Sequence, residues 1–353
     1  MTTYERVKRM YEHKEADRVP IIDVAWKTTR LRWQSEGMPK GVDWRDYFDV
    51  DKHEMISIDI TPRYPREVIE ETDRYIIATT PYGAVQKNFK ELDSTPEILD
   101  FKVTTPKAWE EAKARMTLDD DRIPWKTLEN NFAKWKAEGR WTSALFWFGF
   151  DVTHSRLTGT ENMLAAMIEE PEWVMDMFDT YLKRCEYFFQ KIWDAGYHFD
   201  EVFFYDDMGY KGTPFFSPSL YREVLKPYHT RAINWAHDHG IYARLHSCGN
   251  IMPLLPDVVD TGVDALNPLE IKAGMDAFAI KDTYGDKLVL HGGTNALKWP
   301  NTDEIIEEIR STVPRLKKNG GYIFASDHSI PNNVSHDTMK LIIEEAKKAG
   351  SYN

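Results

Sequence analysis

Apolar and polar positions along this chain follow two rhythms: short continuous apolar runs, and apolar residues at helical spacing. In the second half the two alternate. "EVFFYDD" (201–207), "IYARLHS" (241–247), "ALNPL" (265–269), "LVLHGG" (288–293) and "YIFASDH" (322–328) each read as a buried strand. Helical periodicity follows them near 218–239, 251–261, 274–284, 302–318 and 335–349. Short apolar strands separated by amphipathic helices predict parallel pairing with right-handed crossovers.

The first half is less regular. A helix is expected over 3–13, strands over 18–25 and 55–62, and a hairpin over 74–88, where "TPYG" interrupts the alternation. Residues 92–139 carry charges and Trp at helical spacing, which predicts a helical insertion. "ALFWFGF" (144–150) reads as a strand. Residues 160–196 read as a short helix, a Pro break and a long amphipathic helix that packs Cys185. The strand count approaches eight. The expected fold is α/β, a (β/α)8 TIM-type barrel over 1–353 with an added N-terminal helix within 1–17. A doubly wound open sheet is the alternative, and no GxGxxG turn supports it.

Composition narrows the classes. The chain has 353 residues, 42% of them hydrophobic, enough to fill one large barrel. Net charge is -12, with basic residues interspersed among acids, which argues against nucleic acid. No apolar run approaches the roughly 20 residues of a membrane helix. The first twenty residues are too charged for a signal peptide. Two cysteines give no disulfide framework. The expectation is a cytoplasmic protein acting on a small molecule, compatible with a homodimer. Aromatics reach 13%, with 12 Trp, which suits a large core or a pocket for a flat ligand.

In a parallel barrel, chemistry collects where strands end. Those ends carry Asp206 and Asp207, His246 and Cys248, Glu270, His291, and Asp327 and His328. Thiolate and imidazole together suit Zn²⁺, and catalytic zinc keeps about three protein ligands and one open position. His246 and Cys248 would supply two. His328 is the expected third, with Asp327 and Glu270 as rivals. A cleft of hydrogen-bonded polar residues without metal is the competing reading. Asp206 and Asp207 are neighbours in a strand and point to opposite faces, so one of them at most enters the pocket. Trp26, Trp147, Phe148, Phe204 and Tyr205 lie near strand ends and are candidates for pocket wall or for core. His291 is a candidate donor to a substrate oxygen. His154 and Arg156, after "FWFGF", read either as a solvated helix start or as a clamp for a substrate carboxylate.

Several segments together resemble the uroporphyrinogen decarboxylase superfamily. They are "DRVPI", "TPYGAV", "SPSLYREVLKPYHTRAINWAHDHGI", "LHSCGN", "GVDALNPLE", "KLVLHGGTN" and "NGGYIFASDHSIPNNVS". The resemblance covers most of the chain and is strongest from about residue 200 onward; it implies a (β/α)8 barrel. One branch of that superfamily decarboxylates uroporphyrinogen. The other holds methyltransferases that work with corrinoid proteins and carry zinc on a His-x-Cys at a strand end. Decarboxylases hold porphyrinogen carboxylates with an arginine-rich "RQAGRY"-like segment after the first strand; "VAWKTTRLRW" (24–33) stands in that place, keeps Arg30 and Arg32 and lacks the Gln-Ala-Gly core. "HSCG" is similar to the methyltransferase metal motif. The chain thus resembles the corrinoid-dependent branch.

It also departs from that branch. Thiol-methylating members place a second cysteine after the last strand, where "SDHSIP" (326–331) has none. The resemblance then implies imidazole in place of thiolate, a stronger Lewis acid, and an oxygen rather than a thiol as target. The expected reaction is zinc-dependent methyl transfer from a small methylated donor, foremost a methoxylated aromatic, to Co(I) of a corrinoid (cobalamin) protein. In that scheme Asp207, Glu270 and His291 are catalytic, and Trp26, Trp147, Phe148, Tyr205 and Asp206 bind substrate. His246, Cys248 and His328 hold the metal. A metal-free decarboxylase-like lyase and a methylcobamide:thiol methyltransferase are the alternatives. A corrinoid carrier is disfavoured, because "DHSIPN" lacks the Gly and the His spacing of a base-off motif.

Overall fold

The computed structural model describes residues 1–91 and 96–352. In chain order, β1 (His53–Ile56) precedes an antiparallel sheet of β2 (Val68–Glu71), β3 (Tyr75–Thr79), β4 (Val85–Phe89) and β5 (Glu97–Asp100). Next come β6 (Trp141–Trp147) and β7 (Glu201–Tyr205), then a small hairpin of β8 (Gly209–Tyr210) and β9 (Thr213–Pro214). β10 (Tyr242–His246), β11 (Ala265–Asn267), β12 (Val289–His291) and β13 (Tyr322–Ile323) complete the set. Seven of these form one curled parallel sheet in the order β1-β6-β7-β10-β11-β12-β13. Neighbours in the sheet are neighbours among its strands in sequence, which is what strand–helix alternation produces.

The expected strand over 18–25 is not a continuous ladder. Ile21 pairs with Phe324 and Ala25 with Ile330 in isolated parallel bridges. Pro20 has no N–H to give, and Ile21 N donates to the Asp51 carboxylate at 2.8 Å. The expected strand over 55–62 is displaced to His53–Ile56. Beyond it, Asp59 Oδ1 accepts from Thr61 N at 2.9 Å and turns the chain.

The hairpin expected over 74–88 is the centre of the four-stranded sheet. The helical insertion expected over 92–139 needs correction: 97–100 is strand β5, and helices occupy Pro106–Arg115 and Trp125–Ala137. Residues 92–95 lie outside the described residues. The Pro break in 160–196 separates helices Thr160–Glu169 and Pro171–Asp194. Proline at the first turn of the second helix gives up a donor that has no intrahelical partner there. That helix buries Trp173, Met177, Tyr181, Cys185, Phe188 and Ile192, an apolar face at helical spacing. Among the described residues no helix is long and apolar enough to cross a membrane.

Candidate metal and substrate site

A cavity of about 1350 Å³ opens at the carboxyl ends of the parallel strands. His246 ends β10, and Cys248 follows two residues later on the loop. That loop is fixed by close backbone approach. Gly209 N donates to Cys248 O at 3.2 Å, and Asn250 N donates to Tyr210 O at 2.9 Å. Gly249 sits at φ +77°, and a Cβ there would lie 2.1 Å from Gly209 C. Glycine at both positions is what lets the two loops meet.

Asp207, from the loop after β7, joins them. One ligand atom each from Asp207, His246 and Cys248 lie within 4.8 Å of one another. Cys248 Sγ is 3.4 Å from His246 Nε2, which is 3.6 Å from Asp207 Oδ1. Asp207 Oδ1 also accepts from Cys248 N at 2.7 Å, so it grips the loop that carries the thiol.

The tautomer of His246 follows from its neighbour. Its Nδ1 is 2.6 Å from Asn267 Oδ1, and Asn267 Nδ2 donates to His291 O at 3.2 Å. The amide oxygen can only accept, so Nδ1 carries the proton and Nε2 presents a lone pair toward Cys248 and Asp207. Burial holds the His246 pKa down at about 4, so the ring is neutral at ordinary pH. Burial, with Asp207 and Glu270 nearby, pushes the Cys248 thiol well above its ordinary range. Imidazole, thiol and carboxylate converging in a desolvated pocket form a donor set that fits zinc, and a cation would offset the charge that burial disfavours.

Around this cluster Tyr205 packs against His246 at a tilt of 36°, ring centroids 4.3 Å apart. Trp147 Nε1 donates to Asp151 Oδ2 at 2.7 Å. Burial, then the Asp207 charge, raises the Asp151 pKa to about 7, and burial raises that of Asp207 to about 6. Both therefore hold protons in a range where free carboxyls do not. Asp151, Trp147, Tyr205 and Asp207 all line the cavity.

The other expected site residues divide. His328 lines the cavity but stands outside the three-residue group. Trp26, expected to bind substrate, is not among the residues that line the cavity; it packs against His328, ring centroids 6.3 Å apart. Glu270 accepts from Gly249 N at 2.6 Å and lies 3.3 Å from Lys272 Nζ, so its carboxylate holds the His-x-Cys loop. Asp327 is fully buried and accepts from Ala296 N at 2.8 Å and Lys272 N at 3.2 Å.

Three further expectations need correction. Asp206 is fully buried away from the cavity, accepting from Asp151 N at 2.6 Å with His229 Nε2 at 2.8 Å. Gly149 makes room for it, since a Cβ there would meet Asp206 Oδ2 at 2.2 Å. Phe148 is core, packed on Phe204 and His229 with centroids 5.7 and 5.9 Å away. His291 lines the cavity floor, but both its nitrogens are taken: Arg244 Nη1 lies 2.5 Å from Nδ1, and Nε2 donates to Ile22 O at 2.8 Å. It orders the floor and has no free donor for substrate.

Sequence reasoning missed Asn267 and Asp151. Each had a signal, since Asn267 stands at a strand end in "ALNPLE" and Asp151 directly after the glycine turn of "FWFGFD".

Residues 152–349 match the family model described as uroporphyrinogen decarboxylase (URO-D). No curated protein matches the chain. Among solved structures, a methyltransferase from Methanosarcina mazei superposes with a TM-score of 0.67 at 15% identity, covering 99% of each chain. An amidohydrolase, at TM-score 0.30 and 11% identity over 85% of this chain and 84% of its own, is too distant to inform the fold.

Proposed function

Since this chain belongs to the uroporphyrinogen decarboxylase family, we propose that it is a methyltransferase of the corrinoid-dependent kind. It would move a methyl group from a small methoxylated aromatic to Co(I) of a corrinoid carried by a partner protein. The observation that carries this reading is the convergence of Asp207, His246 and Cys248 within 4.8 Å in a cavity walled by aromatics. The fold shared with a methyltransferase agrees with it. In this reading the curled sheet works as a (β/α)8 barrel, with residues 18–25 as the eighth stave.

His246 Nε2, Cys248 Sγ and an Asp207 oxygen would hold zinc, with His328 as a further donor from the facing loop. Zinc bound there supplies Lewis acidity toward an ether oxygen. The chain's own residues do the rest. Asn267 orients His246 through Nδ1. Tyr205 and Trp147 offer flat faces to the substrate ring. Asp151, whose carboxyl burial pushes above the usual carboxylate range, can hold a proton and release it to a departing phenolate oxygen. The open end of the cavity leaves the reacting methyl exposed to the partner.

The test is anaerobic. Purified protein, a reduced corrinoid protein and a panel of methoxybenzenes, methylamines and thioethers are mixed, and corrinoid methylation and demethylated product are followed by spectrum and chromatography. Product from the methoxybenzenes is expected. Loss of CO₂ from uroporphyrinogen, with no donor active, would establish a decarboxylase instead.

A further inference from the structure

We propose that Arg156, with His154 beside it, anchors a carboxylate on the methyl donor, so that the substrate class is anionic methoxyarenes. This rests on the methyltransferase reading and names its substrate further.

Arg156 and His154 lie on the π-helical turn Thr153–Thr158, and both side chains line the cavity. Neither is a solvated helix start. His154 is only 9% exposed, and its Nε2 is buried without a hydrogen-bond partner among the described residues. Its other nitrogen is 3.0 Å from Thr160 Oγ1. Arg156 Nε is likewise buried and unpartnered. Buried polar nitrogens left unpaired are costly; the arginine Nε can only donate, and the imidazole Nε2 donates when Nδ1 accepts from Thr160, so the two on one cavity wall point to a missing acceptor.

The charges around the cavity single out this position. Arg45 is matched by Asp43 and Glu54 at 2.7 and 2.8 Å. Arg244 is matched by Glu201 and its neighbour His291. Lys27 and Arg30 are exposed at the rim. Arg156 has no carboxylate within salt-bridge distance among the described residues; its guanidinium instead lies 5.6 Å from the Trp147 ring centroid. Asp151 comes no closer to His154 Nε2 than 3.9 Å, beyond hydrogen-bond reach.

An anion supplied by the ligand satisfies these donors. The planar fork of an arginine suits the two oxygens of a carboxylate. With the carboxylate there, the arene lies along Trp147, whose indole N–H is bonded to Asp151. The ring then runs from that anchor along Trp147 into the cavity that His246 and Cys248 also line.

Binding tests this without any corrinoid. Titration calorimetry of the purified, metal-loaded protein would compare 4-methoxybenzoate with anisole. Wild type should prefer the acid, and Arg156→Gln should weaken it about 10- to 100-fold, the range for a lost charge-assisted bond. Anisole should move by less than about 2-fold, since it makes no such bond. Arg156→Lys, which keeps the charge but not the fork, should recover part of the loss, and His154→Phe should cost less than Arg156→Gln. Circular dichroism confirms that each variant is folded. Equal affinity of wild type and Arg156→Gln for 4-methoxybenzoate, an equal loss for anisole, or no binding of the acid to wild type would each overturn the anchor. The two readings fail separately. Acid binding through Arg156 without methyl transfer retains the anchor and sinks the enzyme assignment, while transfer from neutral donors only, unaffected by Arg156→Gln, does the reverse.

Discussion

Two polar clusters share the interior of the curled sheet, and they differ in where their polar atoms point. The deeper one joins Glu201, Arg244, Ser143, Tyr11 and His291. Tyr11 Oη and Ser143 Oγ each donate to Glu201 at 2.5 Å, Arg244 pairs with the same carboxylate, and His291 bridges Arg244 to Ile22 O. Almost every polar group there has its partner inside the protein. The outer cluster, at the strand ends, turns a thiol, an imidazole lone pair and a carboxylate oxygen toward one another within 4.8 Å and faces the cavity. A closed network of that kind is architecture; an open one is a binding site.

The sharpest way to break the comparison is to remove one member of each. Cys248→Ala should abolish bound zinc, read by elemental analysis, while the unfolding midpoint stays near that of wild type. Zinc kept at one equivalent in both Cys248→Ala and His246→Ala would close the metal assignment. Glu201→Leu should do the opposite. It strands the Arg244 charge in the core and should cost about 3–5 kcal/mol in urea unfolding, with zinc binding retained in whatever fraction stays folded.

Asn267→Ala lies between the clusters, since Asn267 joins His246 to the His291 carbonyl. Zinc affinity should fall about 10- to 100-fold, as for other residues that orient a metal-bound imidazole. Competition with a chelator measures it, and an unchanged affinity would mean that the Nδ1 bond does not set the ligand.

A further test concerns Asp23 on the cavity wall. It accepts from Val24 N and Ser326 N, yet burial raises its pKa to about 7. The folded state then binds more protons than the unfolded chain between about pH 4 and 7, so Asp23's contribution to stability falls as pH rises through that window and is flat above it. Asp23→Asn should flatten this slope in urea titrations at pH 5 and 7.5. A slope identical to that of wild type would show that the carboxyl is ionised throughout.

Much of the frame is legible in the chain. Short apolar runs followed by helical periodicity place β7 and β10 to β13, and they put His246 and Cys248 at a strand end, because side-chain period and element length are local properties. The N-terminal region is less legible. Residues 18–25 look like a strand by composition, but Ile21 N bonds to Asp51, 30 residues away. Residues 97–100 look like part of a helical insertion but form the edge of a sheet whose partner strand lies outside that window.

What the sequence by itself determined, then, is the parallel alternation and the address of the His-x-Cys pair. Only the tertiary structure decided which polar residues are free to act. Asp206 is spent on His229, 23 residues on, and His291 on Ile22, 269 residues back. Asp207 and Asn267 come to His246 and Cys248 from different strand ends. Arg156 is left unpaired because no carboxylate among the described residues comes within 4 Å of it. Residue type sets what a side chain can donate or accept, but whether a bond is still open depends on neighbours that folding brings from elsewhere in the chain.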